Sequence, residues 1–170
     1  AMLLAFFPLM AHGLGFKPSE TGLLLTVQAL VLIFFQRRFG RLSDRYGRKR
    51  LMVLGSLLAS FSLFLLAFSA SFLAFLILLT VFGLSGGLSI PASSAAMADI
   101  TSREEFGEAM GLYTTSISIG MAAGPILAGL AATPLGIPAI FHIASALTLL
   151  GTITLQTSFK ENSNKMRILF

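Results

Sequence analysis

Apolar residues occur along this chain in long blocks that are separated by short polar and charged segments. Five of the blocks approach the length of about 20 residues that a helix needs to cross the hydrocarbon core of a bilayer. A shorter apolar block stands at the start of the chain. The pattern therefore predicts six membrane helices, the first one truncated, at about 1–11, 20–39, 51–68, 72–98, 108–132 and 138–156.

The composition supports a membrane protein. Hydrophobic residues make up 55% of the chain, charged residues only 11%, and the mean hydropathy is +0.87. A soluble domain carries about a quarter charged residues, so this chain has too little polar surface to cover a water-facing globule. We expect an all-α integral membrane bundle at 1–157, followed by a polar tail at 158–170, with no soluble domain.

The basic residues are concentrated on one side of the predicted helix zigzag. Eleven of the twelve lysines and arginines lie in three segments on that side, and only Lys17 lies on the other. Lysine and arginine are enriched in cytoplasmic segments of membrane proteins. We therefore expect a protein of the plasma membrane whose cytoplasmic segments are 37–50, 99–108 and 158–170.

The segment between the second and third predicted helices contains the stretch GRLSDRYGRKR. Gly40 permits a close approach of helices, and Gly47 permits a reversal of the chain before the third helix. Asp44 is an acceptor that can cap a helix or face its positive end. Arg45 and Arg48 can pair with Asp44 or with anionic lipid headgroups.

This stretch resembles the signature loop of the major facilitator superfamily, a family of membrane transporters, which joins the second and third helices of each six-helix half. The alternative is a basic segment that sets topology and has no further role. Nucleic-acid binding would need an exposed basic face with aromatic or polar readers, which Tyr46 alone does not supply. The resemblance implies a conformational latch, a contact that holds one conformation, at Gly40, Leu42, Asp44, Arg45, Gly47, Arg48 and Lys49.

A second pattern, in the fifth predicted helix, resembles the superfamily's antiporter motif. Ala128 departs from it, because the family has glycine there. Small residues allow helices to approach closely, and proline bends a helix. The resemblance implies a gating bend, with ordinary small-residue packing as the alternative, at Gly111, Gly120, Gly124, Pro125 and Gly129.

Three polar side chains are candidates for lining a substrate cavity, namely Gln28, Ser89 and Thr115. An interhelical hydrogen bond is the alternative for Gln28, helix packing for Ser89, and a hydrogen bond to its own helix for Thr115. His142 lies a few residues into the sixth helix, and we expect an interfacial histidine there rather than a proton relay.

Enzymatic and metal chemistry are disfavoured. The chain has no cysteine, which excludes thiolate metal sites, and two histidines far apart in sequence do not suggest a histidine site. No nucleophile, base and orienting acid can be assembled at membrane depth. We expect no enzyme activity, no cofactor and no metal.

The family resemblance also implies a function and its partners. A transporter of this type has two six-helix halves with the substrate held between them, so the expected partners are lipids, a small-molecule substrate and a missing half, in the same chain or a paired one. Leu79 stands where amino-terminal halves commonly carry a membrane-embedded arginine, four residues before Gly83, which favours the carboxy-terminal half.

Proton-coupled efflux of apolar or amphipathic compounds by alternating access is the leading hypothesis for the whole protein. No acidic residue lies within a predicted helix core, so a proton-binding carboxylate would belong to the missing half. A uniporter or symporter of sugars or metabolites with the same fold is one alternative. Another is a truncated membrane module without transport, and a receptor or scaffold also stays open.

Overall fold

The computed structural model describes residues 2–168, and the side chains of residues 2–157. The described residues form six α-helices and no strand, as the apolar blocks predict. The helices are α1 (Met2–Gly13), α2 (Pro18–Tyr46), α3 (Arg48–Leu66), α4 (Phe72–Ile100), α5 (Phe106–Leu135) and α6 (Ile137–Ile168).

Five of these helices are long and apolar enough to cross a bilayer. They are α2, α3, α4, α5 and the part of α6 at Ile137–Thr157. The shorter α1 has 12 residues. Consecutive helices run in opposite directions through short connections, so the residues around Gly47 and the turn at 101–105 share one end of the bundle, called the basic end below.

The corner between α2 and α3 differs from the predicted loop. Because α2 continues to Tyr46 and α3 begins at Arg48, Gly47 is the only non-helical residue between them. Its φ of +93° is a backbone conformation that residues with a side chain rarely adopt. The Gly47 amide donates to the Ser43 carbonyl oxygen at 3.1 Å and closes α2. The chain reverses within one residue.

The last helix also extends further than predicted. The sequence pattern predicts an end at about 156, but the helix continues to Ile168. The predicted polar tail at 158–170 falls outside the residues whose side chains are described.

Helix α4 is the centre of the bundle and packs most extensively against α2 and α3. Glycines make this packing close. A Cβ atom added to Gly83 of α4 would lie 2.5 Å from the carbonyl oxygen of Gln28 in α2, and one added to Gly55 of α3 would lie 2.8 Å from the carbonyl oxygen of Ser85 in α4. The backbones therefore meet where a side chain would keep them apart.

Two clusters of buried apolar side chains fill the interior. The larger one joins α1, α2, α3, α4 and α6 away from the basic end, around Phe7, Leu24, Leu66, Phe75 and Phe141. The smaller one lies between α3 and α4 at the basic end and contains Leu51, Met52, Leu88, Ala92 and Ala96.

Buried hydroxyl groups connect α3 to its neighbours. Ser60 and Ser145 of α6 each bond to the other's carbonyl oxygen, at 3.0 and 2.9 Å. The Ser62 hydroxyl donates to the Leu78 carbonyl oxygen of α4 at 2.5 Å. Such bonds help to hold helices together in a membrane, because burial of apolar side chains provides no driving force for association in lipid. By contrast, α5 is mostly exposed, with only Gly124 and Ala128 buried.

Gly83→Ala should destabilise the bundle by about 1–3 kcal/mol, because the new methyl group would force α2 away from α4. Gly151→Ala is the matched control, since Gly151 also lies in a helix and an added Cβ there would meet no atom within 4 Å in the part of the chain that the structure describes. Thermal unfolding of the intact protein in detergent measures both. Equal melting temperatures for the two variants would contradict the close-packing account.

Candidate functional site

Three charged residues meet at the basic end. Arg48, the first residue of α3, lies between Asp44 in the last turn of α2 and Asp99 in the last turn of α4. Its Nη1 atom is 2.9 Å from Asp44 Oδ1. Its Nε and Nη2 atoms both donate to the Asp99 carboxylate, with Nη2 at 3.2 Å from Oδ1. One guanidinium thus joins the ends of three helices; we call these residues the Arg48 cluster.

The geometry of the cluster follows from the Gly47 corner. The immediate reversal leaves Arg48 four residues after Asp44 and at the start of the next helix, where its side chain also reaches α4. The planar fork of arginine suits a two-point contact with a carboxylate, which lysine cannot make.

The ion pairs are partly solvated and therefore individually weak. The side chain of Arg48 is 24% exposed, and those of Asp44 and Asp99 are 60% and 54% exposed. Pairs of this kind contribute up to about 1 kcal/mol each. The Arg48 cluster can therefore favour one arrangement of the helix ends and still open.

Lys49, the residue after Arg48, contacts a fourth helix at the basic end. Lys49 Nζ donates to the carbonyl oxygen of Gln156 in α6 at 3.0 Å. Arg48 and Lys49 together connect α3 with α2, α4 and α6 at the basic end.

The other residues of the signature stretch have different surroundings. Gly40 faces Pro91 of α4, and a Cβ added to Gly40 would lie 3.7 Å from Pro91 Cβ, an ordinary contact distance. The role of Gly40 in a close approach of helices stays a prediction. Leu42 and Arg45 are exposed. Ser43 is 1% exposed, and its hydroxyl has no hydrogen-bond partner among the described residues.

The glycine–proline pattern lies on the exposed helix α5. Gly124 is buried, while an added Cβ at Gly111 or Gly120 would meet no atom of the described residues within 4 Å. One at Gly129 would lie 3.8 Å from Phe6 Cζ, and Pro125 lies inside the helix. Close packing through Gly120 is thus absent in this bundle, and the gating bend stays a prediction.

The three predicted cavity residues do not come together. Gln28 is buried at the crossing of α2 with α4, and its side chain forms no hydrogen bond to another described residue. Ser89 packs its hydroxyl against Gly55 of α3. Thr115 is exposed on α5.

A small cavity lies elsewhere in the bundle. It measures about 290 Å³ and opens between α1, α3, α4, α5 and α6. Two glycines of the α5 pattern belong to its wall, together with Thr148, which no pattern in the sequence indicated. Its lining includes Leu3, Leu63, Phe82, Gly120, Gly124 and Thr148.

His142 lies near the start of α6, at the end of the bundle opposite the basic end. Its ring centroid is 5.0 Å from that of Phe68 and 5.3 Å from that of Phe64, both in edge-on contacts. Its Nδ1 atom is 3.2 Å from the Pro138 carbonyl oxygen. These contacts place His142 in an aromatic setting near a helix end, and its position at the membrane interface stays a prediction.

Sequence reasoning missed three partners in these contacts. Asp99 stood in a segment on the same side as the signature stretch, so topology offered a signal for its pairing with Arg48. No sequence signal indicated the contact of Lys49 with the Gln156 carbonyl oxygen, because every residue carries such a group. The Ser60–Ser145 pair also depends on the helix packing and had no local signal.

Comparison with known proteins relates nearly the whole chain to one family. The family model of the Major Facilitator Superfamily matches residues 1–166. An MFS-type transporter of Methanocaldococcus jannaschii is 33% identical over 88% of this chain and 38% of its own length. Multidrug resistance protein 2 of Bacillus subtilis is 33% identical over 85% of this chain and 36% of its own.

A third relative is the class B tetracycline resistance protein of Escherichia coli, which is 31% identical over 86% of this chain and 36% of its own length. The chain thus spans well under half the length of the curated relatives it matches.

Arg48→Gln and Asp99→Asn should lose less stability together than the sum of their separate losses, with a coupling of about 1 kcal/mol. The physical reason is the direct two-point contact. Unfolding of the purified protein by titration with sodium dodecyl sulfate measures the four free energies. The same cycle with Arg50→Gln, an exposed neighbour of Arg48, should show almost no coupling to Asp99→Asn. Equal couplings in the two cycles would contradict a specific contact.

Proposed function

The chain belongs to the major facilitator superfamily of membrane transporters, and on this premise we propose that it forms one six-helix half of a transporter that moves a small solute by alternating access. Membership makes it an integral membrane protein of a transporter family rather than an enzyme. The observation that carries the proposal is the Arg48 cluster, because it ties three helix ends together at one face of the membrane.

A second six-helix half would complete the transporter, whether it belongs to the same chain or to a paired one. The relatives are more than twice as long as the region they share with this chain. The mostly exposed α5, with its small residues, offers a surface for such a half. Leu79 supports the assignment to the carboxy-terminal half, because it stands where amino-terminal halves commonly carry a membrane-embedded arginine.

The Arg48 cluster would act as the conformational latch. Alternating access requires one end of the transporter to close while the other opens. Contacts of up to about 1 kcal/mol each can favour one state without preventing the change to the other. Asp44 pairs with Arg48 through Oδ1 and is still 60% exposed, so its carboxylate can also contact a second half.

We further propose that the basic end faces the cytoplasm of a cell whose plasma membrane holds the protein. The arginines and lysines at that end support this orientation. Lipids surround the spanning helices, and the cytoplasmic segments would be those predicted at 37–50, 99–108 and 158–170.

Efflux of small apolar or amphipathic compounds is the proposed direction and substrate class. Two relatives are named for resistance to multiple drugs and to tetracycline, and the small cavity has mostly apolar walls. If transport is coupled to protons, the second half would supply the proton-binding carboxylate, because the acidic residues of this chain lie towards helix ends and in connecting segments. Uptake or uniport of sugars or metabolites is the alternative.

Asp44→Asn in the intact transporter should lower the initial rate of efflux about fivefold, which corresponds to losing about 1 kcal/mol of preference for one state. The rate is measured as uptake of tetracycline or of a lipophilic cationic dye into everted membrane vesicles with an imposed pH gradient. Glu104→Gln is the matched control, because Glu104 is an exposed carboxylate at the same end outside the cluster. The amount of protein in the membrane should be equal for all three.

Three results would separate the parts of the proposal. Equal rates for Asp44→Asn and the parent protein would show that the cluster is no latch, while transport itself would stand. Uptake that persists after the pH gradient is collapsed would exclude proton coupling. Transport of sugars but of neither test compound would favour the alternative function.

A further inference from the structure

One face of α2 carries four arginines near its end. Arg37, Arg41 and Arg45 follow one another at intervals of four residues, and Arg38 lies beside the first of them. Four-residue spacing places side chains on the same side of a helix. The arginines thus form a strip about 12 Å long at 1.5 Å per residue. All four are exposed, and we call them the arginine strip.

The strip has no acidic partner among the residues the structure describes. At this end, Arg48 forms ion pairs with both Asp44 and Asp99. Asp44 is the carboxylate nearest to the strip in sequence, and its contact with Arg48 leaves the four positive charges uncompensated. Positive charges that face the headgroup region of a membrane attract anionic lipids.

The same face of α2 becomes apolar towards the middle of the membrane. Leu30, Ile33 and Phe34 are 59%, 65% and 66% exposed. Together with Val31 and Phe35, they line an open groove of about 400 Å³. The guanidinium carbon of Arg38 lies 5.3 Å from the centroid of the Phe34 ring, a cation–π contact that joins the groove to the strip.

We propose that this face of α2 binds an anionic phospholipid, with its phosphate on the arginine strip and an acyl chain in the groove. Arginine donates to phosphate oxygens through two parallel hydrogen bonds, and four arginines exceed the charge of one phosphate. Arg41 lies eight residues, or about 12 Å, beyond Ile33 along the helix. That spacing spans from hydrocarbon to headgroup. The binding does not depend on the proposed transport activity.

The combination of strip and groove separates this site from a simple topology signal. Arg50 of α3 and Arg103 in the turn at 101–105 are also exposed at the basic end, but neither belongs to the helix that forms the groove. They contribute the same charge and serve as the control. A zwitterionic lipid would bind less tightly, because its own cation would face the arginines.

Native mass spectrometry of the intact protein in detergent can test the site, with dioleoylphosphatidylglycerol as the anionic probe and dioleoylphosphatidylcholine as the zwitterionic one. The parent protein should prefer phosphatidylglycerol. Arg37→Gln with Arg41→Gln should weaken that binding about 25-fold, at about fivefold per arginine. Arg50→Gln with Arg103→Gln should leave it unchanged.

Three results would overturn the proposal. They are no preference for phosphatidylglycerol, an equal loss in the control variant, and no lipid binding by the intact protein because another part of it covers this face. If the glutamine variant does not fold, Arg37→Lys with Arg41→Lys keeps the charge and removes the forked donors. That variant should bind phosphatidylglycerol more weakly than the parent, and unchanged affinity would also overturn the assignment.

Discussion

Close packing of α4 with α2 and α3 is the constraint on which the basic end depends. Gly83 and Gly55 let the helix backbones meet well inside the bundle, and the directions of the three helices are then fixed up to their last turns. Only with those turns side by side can Arg48 reach two carboxylates from different helices. Ion pairs worth up to about 1 kcal/mol each would not assemble three helices by themselves. The helix packing therefore positions the charged residues, and the Arg48 cluster forms as a result.

Hydropathy predicted the six helices because a bilayer demands apolar runs of a fixed minimum length. Hydropathy placed the ends of α2 and α6 too early in the sequence. It indicates which residues lie in the membrane and not where the hydrogen-bonded helix ends. Charged residues such as Arg41 and Arg45 are good helix formers. The helix therefore continues until Gly47, where the backbone leaves helical geometry.

The contacts of the candidate site could be predicted from the sequence only where the two residues lie close together along the chain. Asp44 and Arg48 are four residues apart, and their pairing was among the expected ones. Asp99 is 51 residues further on, and its contact depends on how α4 crosses its neighbours. For the same reason, Gln28 and Ser89 lie at different helix crossings instead of in one cavity. The surroundings of Gly120 depend on what covers α5, which a single sequence does not specify.

If the Arg48 cluster holds the last turns of α2 and α4 together, the ends of these two helices should keep a narrow range of separations while the cluster is closed. The absence of cysteine from this chain allows spin labels at Tyr46→Cys and Ile100→Cys, two exposed positions on those ends, in an intact protein without other cysteines. Pulsed electron paramagnetic resonance should give one narrow main distance in the parent protein and a broader distribution in Arg48→Gln. The same distribution in both proteins would contradict this account.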